Sequence, residues 1–240
     1  MDGMSRSPLI VALDHDDPGE ARACVADLEE ATRYKVGSVL FTRAGPAFVR
    51  DLVERGLGVF LDLKFHDTPA TVAGAVTAAA ELEVEMLTVH APGGPAMIAA
   101  ARAAAARATV PPSILAVTVL TSLDPAAWEL VAGVGGRSIP DAAAELGAMA
   151  VEAGADGLVC SAEEVARLRG ELGPGSLLVV PGIRPAWSAS DHAGQARTAE
   201  PAAALAAGAS HLVVGRAVTA DPDPRAAFGR IAAEIEPRDP

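Results

Sequence analysis

Val59-Phe60-Leu61-Asp62-Leu63-Lys64-Phe65-His66-Asp67-Thr68-Pro69 changes character within a few residues. An apolar run meets an acid, a base and a second acid, and then Thr-Pro. Read as a strand, it alternates its side chains, so Asp62 and Lys64 share one face while Leu61, Leu63 and Phe65 share the other. Thr68 stands where a helix N-cap is expected and Pro69 where the first helical residue is expected. The stretch is one strand–turn–helix unit with its charges at the strand's C-terminal end.

The same unit recurs on both sides. Strands are expected at Leu9–Leu13, Tyr34–Val39, Gly58–Lys64, Met86–Val89, Ser113–Leu120, Gly157–Cys160, Leu177–Val180 and His211–Val214. Helices are expected between and after them, beginning near Gly19, Pro46, Pro69, Pro95, Asp124, Pro140, Ala162, Pro201 and Pro224. Several strands are short continuous apolar runs, as in a parallel sheet covered on both faces. Eight such units predict a single α/β domain over residues 1–240, a (β/α)8 TIM barrel. No G-x-G-x-x-G opens the first helix, which disfavours a doubly wound dinucleotide fold. Residues 1–7 and 236–240 are expected to be flexible tails, and 185–200 a mobile loop that grips a phosphate.

Composition narrows the function classes. Half of the 240 residues are hydrophobic and 3% are aromatic, so alanine, valine and leucine must fill most of the core. A net charge of −12 argues against nucleic-acid or anionic-membrane partners. It leaves room for a small anionic ligand, because an arginine and backbone N–H groups dominate locally. Cys24 and Cys160 have no metal or redox spacing and read as buried thiols. No leader pattern or membrane-length apolar run is visible, so a cytoplasmic location is expected.

In a barrel, chemistry belongs to the C-terminal rim of the strands. Asp14, Lys35, Asp62, Lys64, His90, Thr121 and Ser161 all fall there. Charges ending an apolar strand are costly unless paired, and flanking carboxylates favour the ammonium form of a lysine. A solvated salt-bridge cluster, with Asp67 assisting a helix cap, is the plainer alternative for this triplet. Pro181-Gly182-Ile183-Arg184 and Val213-Val214-Gly215-Arg216 follow strands seven and eight, where barrels commonly hold phosphate. Glycine admits backbone N–H groups to the anion and arginine offers a planar fork of donors. Gln195 and Arg197 are the best-placed donors of the long connection between those strands.

These segments, with Ala12-Leu13-Asp14 and Lys35-Val36-Gly37, resemble the orotidine 5′-phosphate decarboxylase family over nearly the whole chain. The resemblance implies that Lys64 delivers a proton to C6 of the pyrimidine and that Asp62 sits against the substrate carboxylate. It implies a homodimer with shared active sites, Asp67 and Thr71 reaching into the neighbour. Asp62, Lys64 and Asp67 would be catalytic. Asp14 and Lys35 would hold the ribose hydroxyls; Thr121 and Ser122 would lie near the base, and Gln195 would bridge base and phosphate. Arg184, Gly215 and Arg216 would bind the phosphate, with Pro181 and Thr68 also on the substrate side. The ligands would be orotidine 5′-monophosphate and UMP, with no cofactor and no metal. Ala70 departs from the family, which often has asparagine there.

Two other readings share parts of this pattern. Sugar-phosphate decarboxylases and hexulose-phosphate synthases carry a similar D-x-K-x-x-D and use magnesium. They call for a further acidic ligand, yet strand four here ends in Thr88-Val89-His90. A non-catalytic phosphate-binding barrel would keep Gly215 and Arg216 without needing Asp62, Lys64 and Asp67 together.

Overall fold

Eight parallel strands pair in chain order and the last closes on the first, giving a (β/α)8 barrel. The computed structural model describes residues 7–133, 137–188 and 198–236. The outer tails and most of the 185–200 connection, including Gln195 and Arg197, lie outside the described residues.

The order is β1 (Leu9–Leu13), α1 (Pro18–Asp27), β2 (Arg33–Gly37), α2 (Ser38–Glu54), β3 (Gly58–Phe65) and α3 (Pro69–Ala80). Then come β4 (Met86–His90), α4 (Pro95–Ala105), β5 (Ser113–Val117), α5 (Pro125–Ala132), α6 (Ile139–Glu152) and β6 (Gly157–Val159). The chain continues with α7 (Ala162–Leu172), β7 (Leu177–Val180), α8 (Pro201–Ala206), β8 (His211–Val214), α9 (Arg216–Thr219) and α10 (Pro224–Ile235). Among the described residues, no helix is long and apolar enough to cross a membrane.

The ladder explains why several strands read as unbroken apolar runs. One set of side chains, including Ile10, Ala12, Phe60, Met86, Leu115, Val179 and Val213, fills the barrel interior. The alternate set, including Leu9, Val11, Leu61, Leu87, Val89, Ile114 and Leu178, packs outward beneath the helices. Both faces are buried, as an all-parallel sheet requires. Helix starts follow the sequence chemistry: Asp17 accepts from Gly19 N at 2.6 Å and Glu20 N at 3.1 Å ahead of α1. Asp124 and Asp223 do the same for α5 and α10, each followed by proline.

Several boundaries differ from the sequence reading; β2 ends at Gly37 instead of Val39. α2 starts at Ser38 rather than near Pro46, because Gly45 (φ 66°) joins an extra helical segment to the one begun by Pro46. β5 leaves the regular ladder after Val117 instead of Leu120. The short α9 follows β8 directly, a piece too short for periodicity to reveal.

The N-terminal end of the barrel is closed by polar side chains. Arg33 donates to both oxygens of Glu85 at 2.8–3.0 Å and to the Ser7 carbonyl at 2.8 Å. Arg169 reaches from α7 to the carbonyls of Gly173, Ser176 and Gly208, tying the α7–β7 and α8–β8 connections together. His211 stands beside the Arg33–Glu85 pair with its Nδ1 enclosed and unpartnered. Burial lowers its pKa, Arg33 lowers it further, and Glu85 opposes them.

A histidine whose folded pKa lies below its unfolded value stabilises the fold above the unfolded value, near 6.5. That stability is lost as pH falls from there through the folded value. The melting temperature is therefore expected to fall between pH 7.5 and 5.5, and to fall less in His211→Asn. Equal acid losses in the two proteins would contradict this account of His211.

Candidate active site

β3 does not run straight into its charges. Leu61 pairs with Leu87 and Phe65 with Val89, so Asp62, Leu63 and Lys64 lie opposite Thr88 alone. This is a β-bulge, a device that re-aims side chains next to functional sites. Lys64 adopts φ 52°, in the left-handed region that non-glycine residues rarely occupy. The expected alternation of Asp62 and Lys64 is thus replaced by a kink, which still turns both side chains to the barrel mouth.

There they form a chain of charges. Lys64 Nζ donates to both Asp62 oxygens at 2.8 Å. Lys35 Nζ lies 3.8 Å from Asp62 Oδ2 and 2.9 Å from Asp14 Oδ1. The order Asp14–Lys35–Asp62–Lys64 alternates in sign along the rim of β1, β2 and β3. Asp62 is only 8% exposed, so the neighbouring cations and the Thr88 hydroxyl, 3.0 Å away, supply what water no longer can.

A cavity of about 340 Å³ opens beside this chain, within the range of small-molecule sites. Asp14, Lys35, Asp62, Lys64, Thr121, Pro181, Arg184, Gly215 and Arg216 all line it, as the sequence suggested. Phe60, Val117, Val159 and Val213 give it an apolar floor. At its far end Gly182 (φ 76°) turns the chain after β7, and Gly215 leads into α9. Burial lowers the pKa of Arg184, and the adjacent Arg216 lowers it further. Arg184 Nε is buried without a partner. Two guanidinium groups crowded in this way suit a shared anion.

The root of the 185–200 connection is fixed at both ends. Arg184 N donates to the Ala199 carbonyl at 2.8 Å and Ala199 N to that of Gly182 at 3.3 Å. Trp187 Nε1 donates to Glu234 at 2.5 Å, and Arg230 lies 3.8 Å over the Trp187 ring. Nothing in the sequence patterning singled out Trp187 or its partners on α10.

Other expected residues fall elsewhere. Asp67 is exposed and accepts from Thr68 N at 2.6 Å; it does not meet Lys64 within the chain. Thr68 occupies the N-cap position of α3, but its hydroxyl pairs with that of Thr71 at 2.9 Å instead of capping. Thr68, Thr71 and Ser122 are exposed and do not line the cavity. Ser161 is buried at the start of α7, where its N–H donates to Glu164 at 2.9 Å. His66 and His90 face one another at 5.4 Å outside the cavity wall. Burial, followed by His66 and Lys64, lowers the pKa of His90, against an opposing effect of Asp62. Gln195 lies outside the described residues. Among the described residues, no three His, Cys, Asp or Glu side chains converge as a metal site would require.

The family model described as "Orotidine 5'-phosphate decarboxylase / HUMPS family" matches residues 7–231. An orotidine 5'-phosphate decarboxylase of Nitrosococcus oceani is 48% identical over 97% of this chain and 99% of its own. One from Halorhodospira halophila is 51% identical over 95% of each chain. The crystal structure of orotidine 5'-phosphate decarboxylase from Lactobacillus acidophilus superposes with a TM-score of 0.84. It is 36% identical, and the match covers 96% of this chain and 99% of that one.

The arginine pair generates a direct expectation. Inorganic phosphate raises the melting temperature of the wild type, by about 2.7 kcal/mol of stabilisation at a hundred times its Kd. Arg216→Ala loses most of that rise in a thermal-shift titration. An undiminished rise in the variant would place the anion elsewhere.

Proposed function

Since the chain belongs to the orotidine 5'-phosphate decarboxylase / HUMPS family and is a carboxy-lyase, we propose that it converts orotidine 5′-monophosphate to UMP and carbon dioxide, with Lys64 as the proton donor. The observation that carries the reading is the Lys64 ammonium, held on both Asp62 oxygens in a cavity whose opposite end presents Arg184 and Arg216. A nucleotide fits that polarity, with its phosphate at the arginines and its base at the charge chain.

The chemistry follows from that placement. The C6–carboxylate bond breaks, carbon dioxide leaves, and the electron pair stays on C6. Lys64 gives that carbon a proton, forming the C6–H bond of UMP, and regains its own from water. A cation already in position stabilises the developing charge without reorganising at the moment of reaction. Asp62 faces the substrate carboxylate, and the repulsion between the two is relieved as carbon dioxide departs. Phosphate binding at Arg184, Gly215 and Arg216 offsets that repulsion with binding energy from a remote group. Asp14 and Lys35 take the ribose hydroxyls, and Thr121 lies towards the base. Gln195, outside the described residues, is the donor assigned to base and phosphate in this reading. This chemistry calls on no cofactor or metal. The setting is de novo pyrimidine synthesis in the cytoplasm.

The enzyme works as a homodimer in which Asp67 and Thr71 of each protomer reach the other's site. The exposure of Asp67 and its separation from Lys64 in its own chain support this. Lys64 then stands between two carboxylates, one from each chain.

Turnover is followed by the ultraviolet change as orotidine 5′-monophosphate becomes UMP. Wild type turns over equally with and without a chelator, and Lys64→Ala lowers kcat by at least about a thousandfold. No turnover by folded wild type overturns the assignment and directs the search to sugar phosphates with magnesium. Mixing equal amounts of Lys64→Ala and Asp67→Ala, with subunit exchange, restores about a quarter of wild-type activity, since one site in four receives both intact residues. No recovery contradicts the shared site.

A further inference from the structure

Thr88 sits on β4 opposite the bulge, fully buried. Its hydroxyl touches both members of the Asp62–Lys64 pair. Oγ1 accepts from the Lys64 backbone N–H at 2.8 Å and donates to Asp62 Oδ1 at 3.0 Å. The direction of both bonds is fixed. An amide can only donate, so the hydroxyl receives it on a lone pair and has its one hydrogen left for the carboxylate.

The position matters because of what the bulge does. With three residues of β3 facing one of β4, the Lys64 amide takes a side-chain oxygen as its partner. The same bond holds the backbone at φ 52°, a conformation that persists only where its surroundings enforce it. The direction in which Lys64 leaves the strand depends on that conformation. The orientation of the carboxylate that receives its ammonium depends on the same hydroxyl. One buried group therefore sets both ends of the ion pair.

We propose that Thr88 is a positioning residue for the decarboxylation: its hydroxyl locks the Lys64 backbone and the Asp62 carboxylate into one geometry, aiming the ammonium into the cavity before substrate binds. The inference rests on the reading of Lys64 as the proton donor. Thr88 does not line the cavity, so its contribution falls on the chemical step and not on binding. Misplacement of a reacting group by about an ångström is enough to cost a hundredfold in rate.

The test compares Thr88→Val, which keeps the shape and removes both bonds, with Thr88→Ser, which keeps the hydroxyl. Thr88→Val is expected to lower kcat about tenfold to a hundredfold while KM changes less than about threefold. Thr88→Ser is expected to return kcat to within about threefold of wild type. Should Thr88→Val not accumulate as folded protein, Thr88→Cys against Thr88→Ser gives the same contrast, since a thiol is a poor donor and acceptor. Wild-type kcat in Thr88→Val, a change confined to KM, or equal losses in the hydroxyl and non-hydroxyl variants would each overturn the proposal. Lys64→Ala runs in the same assay. Turnover surviving there sinks the reading of Lys64, whereas its loss beside an unaffected Thr88→Val sinks the role of Thr88 alone.

Discussion

An almost fully buried carboxylate is tolerable only when cations and hydrogen-bond donors replace its water, and Asp62 is such a carboxylate. Lys64, Lys35 and Thr88 surround it, and each comes to that spot through a different feature of the fold. Lys64 arrives by a bulge in the same strand, Lys35 from the next strand in the barrel, and Thr88 from the strand on the other side. Leaving such a group unpaired costs several kcal/mol, a large fraction of the net stability of a domain. The site and the local fold are therefore held by the same contacts. A left-handed lysine, costing about 1–3 kcal/mol, persists because relaxing it would break that pairing.

The barrel converts this local arrangement into a site with two ends. Parallel strands put all eight C-terminal ends on one rim, so β1 to β3 supply the alternating charges. The turns after β7 and β8 bring Arg184 and Arg216 to the same cavity. Between them the floor is apolar, supplied by inward residues of β3, β5, β6 and β8. At the arginines, burial lowers the pKa of Arg184 and the neighbouring Arg216 lowers it further. Binding at one end can then sustain an unfavourable juxtaposition at the other.

Much of this was legible in the chain. Apolar runs located most of the strands, because burial on both faces favours apolar residue types, whereas β2 carries Arg33 and Lys35. The polar residues at the strand ends marked the rim, and seven of those singled out line the cavity, with Pro181 and Gly215 beside them. What escaped the sequence depends on geometry that periodicity does not encode. Thr88 looks like any threonine in an apolar strand until the bulge places β3 around it. Ser161 shares the rim position but is taken up by the start of α7. Thr68 has the right type and place for a cap, and Thr71 diverts its hydroxyl. Asp67 stands next to the motif in sequence, yet it is exposed and accepts from Thr68 N instead of meeting Lys64 of its own chain.

The central claim is that an ammonium at this one place makes the cavity a decarboxylase. It is tested most directly by removing that ammonium and rebuilding it chemically. Lys64→Cys followed by alkylation with 2-bromoethylamine places a near-copy of the lysine side chain in the mouth of the barrel. The native thiols, Cys24 and Cys160, are both buried, and burial pushes that of Cys24 up to about 11, which keeps the reaction selective. Turnover of orotidine 5′-monophosphate that is lost in the cysteine variant and regained on alkylation is the predicted result. A cysteine variant that still decarboxylates, or an alkylated one that stays inert while binding UMP normally, would contradict the account.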